Sequence, residues 1–232
     1  MKKWIFLLAI VAFASACEPP VKGNGNIVKS DRDLSGFDEI DVSGNFEVHL
    51  MEANDFKVTV QADDNLQDFI ETYVKGDRLY IKSDKHLSSD DLKIFVSMKE
   101  LHELDLSGAS EVHMKNEFNT EELSIEVSGA AQLDLNLRVA KLEVDASGAC
   151  EMHAKGIAEE MRIDASGACE VMATDLKVSK CHIQMSGAGE ANVWAVQELH
   201  VQVSGAGEVN YKGNPERITQ DISGAASVTS LK

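Results

Sequence analysis

The tripeptide Ser-Gly-Ala begins at Ser107, Ser128, Ser147, Ser166, Ser186, Ser204 and Ser223, at intervals of 21, 19, 19, 20, 18 and 19 residues. A diverged copy, Ser43-Gly44-Asn45, stands earlier. Spacing this regular is the mark of stacked repeats, where a unit too small to enclose a core buries its apolar face against copies of itself. Apolar and polar residues alternate on both sides of each copy. Leu104 and Leu106 precede Ser107, and Val112 and Met114 follow it; Val144, Ala146, Met152 and Ala154 repeat the pattern around Ser147. Period two belongs to strands buried on one face, and no helical period crosses this stretch. The expected fold is all-β: a right-handed parallel β-helix (β-solenoid) of about 19–20 residues per coil with an N-terminal β-rich cap.

Each glycine permits a corner with positive φ or a close approach. The next residue is always Ala, and the one after is Ser110, Ala131, Cys150, Cys169, Gly189, Gly207 or Ala226. Such uniform smallness suggests an inside corner where facing walls leave no room. Cys150 and Cys169 then lie one coil apart and point side by side, so buried free thiols are expected rather than a bridge.

Four segments follow. Residues 1–16 read as a signal peptide: Lys2 and Lys3 are the positive start, Trp4 to Ala12 is an apolar run, and Ala14-Ser15-Ala16 supplies the small cleavage residues. The apolar run is shorter than the roughly 20 residues of a membrane span. Cys17 follows at the cleavage position, ahead of the helix-breaking Pro19-Pro20, which makes it the candidate lipid attachment site. Residues 17–36 are expected to be a lipidated tether and a loop leading into the fold. Residues 37–100 are expected to be the β-rich cap, which covers strand edges that a stack would otherwise expose. Within it, Leu66, Phe69 and Ile70 suggest a short helix between Asp63 and Thr72, and Gly76-Asp77 a hairpin turn. Residues 101–232 are the repeat region.

Without residues 1–16 the chain carries 20 Lys and Arg against 39 Asp and Glu, a formal charge of −19. A surface this acidic repels phosphate backbones, so nucleic acid is not an expected partner, and it does not lie flat on an anionic membrane. Divalent cations, basic proteins and neutral glycans remain compatible. With Cys17 acylated, the odd number of remaining cysteines (Cys150, Cys169, Cys181) argues against a disulfide framework, and no Cys-x-x-Cys spacing suggests a zinc or redox site.

Two carboxylate ladders flank the corner. Asp105, Glu126, Asp145 and Asp164 stand two residues before the serines, and Glu111, Glu151, Glu170, Glu190 and Glu208 four residues after. Stacked like charges oppose one another. They form either a solvated face, where water screens the repulsion, or a candidate acidic ligand face with weak Ca²⁺ capture. His113, Asp134 and His153 share the position six residues after the serine and are candidate metal ligands. Trp194 is a candidate platform for sugar stacking. A glycosidase needs two carboxylates at a set separation. Asp145, Asp164, Glu151 and Glu170 could offer a pair, but they are products of the repeat rather than a departure from it, so no catalytic residue and no cofactor is expected.

Gly25-Asn26-Ile27, Phe37-Asp38-Glu39-Ile40-Asp41-Val42-Ser43-Gly44, Val58-Thr59-Val60-Gln61-Ala62-Asp63, Gly76-Asp77-Arg78-Leu79-Tyr80-Ile81 and the Ser-Gly-Ala series together resemble the auto-transporter adhesin "head GIN" domain family of Bacteroidetes-type exported lipoproteins. The resemblance spans nearly all of the chain beyond Cys17 and implies a β-helical envelope protein with no catalytic residues to carry over. The expected function is a non-catalytic cell-envelope lipoprotein. It would be held at the membrane, by expectation the outer one, through its N-terminal lipid, and would present an acidic β-solenoid to a glycan or protein ligand. The alternative is a self-associating scaffold, a homo-oligomer formed through an open C-terminal coil; a polysaccharide-active enzyme is third.

Overall fold

The alternating residues form strands along almost the whole chain. The computed structural model describes residues 19–231 and is all-β, with one short 3-10 helix at Asp64–Phe69. The expected signal peptide and Cys17 lie outside the described residues. In chain order the strands are β1 (Val21–Lys22), β2 (Ile27–Arg32), β3 (Glu39–Gly44), β4 (Glu47–Glu52), β5 (Lys57–Asp63), β6 (Glu71–Lys75), β7 (Arg78–Lys82), β8 (Leu87–Ser88) and β9 (Lys93–Met98). The repeat region supplies β10 (Glu103–Met114), β11 (Phe118–Val127), β12 (Ala130–Ala146), β13 (Ala149–Lys212), β14 (Arg217–Gly224) and β15 (Ser227–Ser230).

In the repeat region all inter-strand pairing is parallel, and the tripeptide sets the register. Leu104 pairs with Ile125, Ile125 with Val144, and Val144 with Ile163. Ala130 faces Ala149, and Ser204 faces Ser223. The apolar alternates form ladders in the core: Leu104, Ile125, Ile163, Ile183 and Val201 are completely buried. The glycines also line up. A Cβ added at Gly148 would lie 2.1 Å from the carbonyl oxygen of Gly129, and the same contact recurs from Gly108 on Gly44 to Gly224 on Gly205. Backbone therefore rests on backbone at every corner, and this contact is what excludes any side chain there.

The expected inside corner is corrected. Ala109, Ala130, Ala149, Ala168 and Ala188 are exposed, while the next residues, Ser110, Ala131, Cys150 and Cys169, are buried. Alternation breaks at the glycine, so the alanines face outward onto a concave surface.

The first hundred residues do not stack in chain order. Ser43 and Gly44 pair with Ser107 and Gly108, and Val48 with Val112, so the diverged copy is a full layer beside the first Ser-Gly-Ala layer. On its other side Ile40 pairs with Leu79, Val42 with Ile81, and Val48 with Ile94. Residues 78–98 thus form the layer beyond it, although they come later in the chain. The main sheet is mixed, because β5 runs antiparallel to β2 and β9, and β6 antiparallel to β7. These antiparallel strands close the end of the stack, and the charged residues of β2 (Lys29, Asp31, Arg32) make it a poor template for further pairing.

The segment expected to be a tether and lead-in loop, 17–36, contains two strands. β1 pairs with β8, and β2 with β5. Between them the Asn24 and Asn26 side-chain amides donate to Asp64 at 2.6 and 2.7 Å, and the Gly25 N–H donates to Asp63 at 2.5 Å. A polar stretch that reads as a loop is held by carboxylates about forty residues away. The expected helix is the 3-10 turn at Asp64–Phe69, with Leu66 buried; the expected hairpin joins β6 to β7 through Gly76 at φ 67°.

Candidate functional site

Because the alanines face outward and carry only a methyl group, the corner column is concave. A trough of about 650 Å³ runs along the stack with Ala109, Ala130, Ala149, Ala168 and Ala188 on its floor. Glu111, Gln132, Glu151, Glu170 and Glu190 also line it. A second hollow of about 510 Å³ continues it past Glu190 to Ala206, Glu208 and Ala225. On the other side of the glycine column, a separate hollow of about 270 Å³ holds Glu126, Asp145 and Asp164 with Ser128, Ser147 and Ser166. The candidate acidic face is therefore two faces. Asp145 and Asp164 belong to the smaller hollow, and Glu151, Glu170, Glu190 and Glu208 to the long trough, with the backbone corner between them.

The ladder on the smaller side continues into the first layers, since Asp41 pairs with Asp105, Asp105 with Glu126, and Asp145 with Asp164. Burial raises the Asp41 and Asp145 pKa values; for Asp145 the neighbouring Asp164 charge adds to the effect. Burial pushes Asp105 up to about 6, against the pull of Arg78. Arg78, from β7, is the counter-charge that sequence reasoning missed. Its guanidinium donates to Glu39 at 2.8 Å, to Glu103 at 2.7 Å and to Asp105. A signal was present, because Glu39 and Asp41 repeat as Glu103 and Asp105. What hid it was the stacking order that brings β7 beside β3.

His113 and Asp134 meet, with His113 Nδ1 2.6 Å from Asp134 Oδ2. His153 pairs with Asp134 in register, but its Nε2 turns to Glu151 at 3.2 Å. On the other side His113 stacks on His49, which stacks on Phe95. Among the described residues no group of three or more His, Cys, Asp or Glu is placed to hold a metal ion. The expected His113, Asp134 and His153 set is an extended column rather than a converging one, because in-register side chains project alongside each other. Trp194 is half-buried, with the Lys212 and Lys177 ammonium groups 4.4 and 5.7 Å from its ring centre. Both ammonium groups stand within cation–π distance of the candidate stacking ring. Cys150, Cys169 and Cys181 are buried free thiols, and the first two line the long trough beneath its alanines.

No helix among the described residues is long and apolar enough to cross a membrane. Solved structures share the fold. A putative adhesin from Bacteroides fragilis superposes with a TM-score of 0.87 at 21% identity, covering 91% of this chain and 100% of its own. A putative lipid binding protein from Parabacteroides distasonis gives 0.75 at 24% identity, covering 92% and 100%. A putative adhesin from Parabacteroides merdae gives 0.71 at 20%, covering 91% and 99%. No curated protein matches the chain. The family described as "putative auto-transporter adhesin, head GIN domain" matches residues 36–215, most of the chain, and the protein belongs to that family.

Proposed function

We propose that the protein is a non-catalytic envelope lipoprotein, held through Cys17, whose parallel layers coil as a right-handed β-helix and present the long trough to an extended, cationic partner such as a lysine-rich peptide or an amino-sugar polymer. Right-handedness follows from the strong preference of parallel crossover connections for that hand. The observation that carries the binding role is the trough itself: a methyl-lined floor five layers long with carboxylates on its wall. The floor offers apolar contact at every strand spacing, and the carboxylates supply the charge, which sets orientation and on-rate more than raw affinity. The description of similar structures as adhesins fits a surface used for binding.

Ala149→Arg fills the trough with a long cationic side chain. It is expected to abolish retention of fluorescent oligolysine or chitosan oligomers on the immobilised protein while leaving the unfolding midpoint within a few degrees of the parent. Equal retention by the parent and the variant would remove the trough as the binding surface.

Self-association is a second reading, favoured by β14. This strand is exposed at all eight residues, Ile218 and Ile222 included at 42% and 40%. Sedimentation velocity should then show a concentration-dependent species that Ile222→Lys eliminates; a parent that stays monomeric at high concentration refutes this reading.

A further inference from the structure

The buried column behind the trough floor runs Ser110, Ala131, Cys150, Cys169, Gly189. Ala131 is in register with Cys150, and the Ala168 N–H donates to the Gly148 carbonyl at 3.0 Å, which sets Cys169 one layer beyond Cys150. Both cysteines are 4% exposed and unbridged, yet both line the trough. The column neighbours on either side, Ala131 and Gly189, are small, and the Met185 methyl lies over Gly189.

Strand spacing decides what this pair can hold. Adjacent parallel strands lie about 4.8 Å apart. A disulfide needs sulfurs about 2.05 Å apart and Cβ atoms near 3.8 Å, closer than in-register neighbours come without backbone movement. Two metal–sulfur bonds in line span about 4.6 Å, taking the roughly 2.3 Å of a zinc–thiolate bond as a guide. That matches the strand spacing. A soft ion that accepts two ligands therefore fits where a bridge does not and where a three- or four-coordinate ion finds too few donors.

We infer that Cys150 and Cys169 together bind one soft monovalent cation, copper(I) or silver(I), that reaches them through the carboxylate-lined trough. Sulfur ligands select such ions over hard ones. Glu151 and Glu170, beside the thiols on the trough wall, raise the local concentration of cations. On binding, one thiol releases its proton to solvent and coordinates as thiolate, and the other coordinates as the thiol. The buried unit is then neutral, no electron is transferred, and one proton leaves per ion. Cys181 is completely buried and not part of the trough lining, so it serves as the internal control.

The test is an anaerobic titration of the reduced protein with silver(I), followed by native mass spectrometry and near-ultraviolet thiolate-to-metal absorption. One equivalent is expected to bind with release of one proton, and Cys181→Ala should behave as the parent. Cys150→Ala and Cys169→Ala place at this column the residue already present at Ala131, so they should fold; each should lose the one-equivalent binding. The inference is overturned if the Cys150→Ala, Cys169→Ala double variant still binds one equivalent, if only Cys181→Ala loses it, or if the reduced parent binds none. The titration contains no polymer, so its outcome does not depend on the partner proposed for the trough.

Discussion

Gly148→Ala should cost at least about 3 kcal/mol of stability by denaturant unfolding. Forcing extra atoms into a packed interior typically costs about 1–3 kcal/mol. Here the obstacle is a carbonyl oxygen 2.1 Å from the new Cβ rather than a side chain that can rotate away. Alanine's lower unfolded-state entropy returns only about 0.5–1 kcal/mol. Relief would require separating two layers, which breaks the ladder hydrogen bond between the Ala149 N–H and the Gly129 carbonyl. Gly76→Ala is the contrast. Gly76 sits at φ 67° with nothing within 4 Å of a new Cβ, so only backbone strain of about 1 kcal/mol is expected. Equal losses in the two variants would show that backbone contact is not what selects glycine at the corners.

Arg78→Gln should destabilise the protein by about 3 kcal/mol at pH 7, the low end for removing one partner of a buried ionic cluster, because Arg78 is 22% exposed. The loss leaves Glu39, Glu103 and Asp105 together without their shared cation. It should also shrink as the pH falls. Asp105 has a folded-state pKa of about 6 against an ordinary aspartate value of 3.8, so between those values the folded protein holds a proton that the unfolded chain has released. The group therefore favours the folded state at low pH, and that contribution is lost as pH rises through 6. Asp41 and Asp145 are shifted in the same direction. His49, lowered by burial, works in the opposite direction as pH falls from 7, so the Asp105 contribution is read from the difference between the parent and an Asp105 variant. Asp105→Asn should be more stable than the parent by about 1–2 kcal/mol at pH 7, with the difference gone below pH 4. Chemical denaturation at the two pH values checks both variants, and an Asp105→Asn advantage that does not shrink between pH 7 and pH 4 contradicts the assignment.

The repeat half was legible because its information is local. The position of Ser-Gly-Ala sets the register, and period two picks out Ile125, Val144 and Ile163 as core residues without knowledge of anything distant. Three things were not legible. The side on which the alanines lie depends on parity, and parity fails at a corner where three consecutive residues turn outward. The stretch from Val21 to Arg32 is largely polar with Gly23 and Gly25 between its strands, and it is ordered by pairing with β8 and β5 and by Asp63, Asp64 and Asn65. The place of residues 78–98 in the stack was hidden because adjacency along the chain suggests adjacency in space, and here it misleads. The same gap concealed Arg78. The division of the acidic residues between two hollows required the glycine column to be seen as a ridge of backbone.

The displaced order of the first layers makes the two ends of the molecule mechanically unlike. From the β14 side, units can peel away one after another, each departure breaking contacts only with the preceding stretch of chain. At the opposite end, the layer of residues 78–98 is held between the layer spanning Glu39–Glu52 and the antiparallel strands β5 and β6, so it cannot leave the stack before those strands do. Thermal unzipping of the repeat layers therefore has a direction, inward from β14.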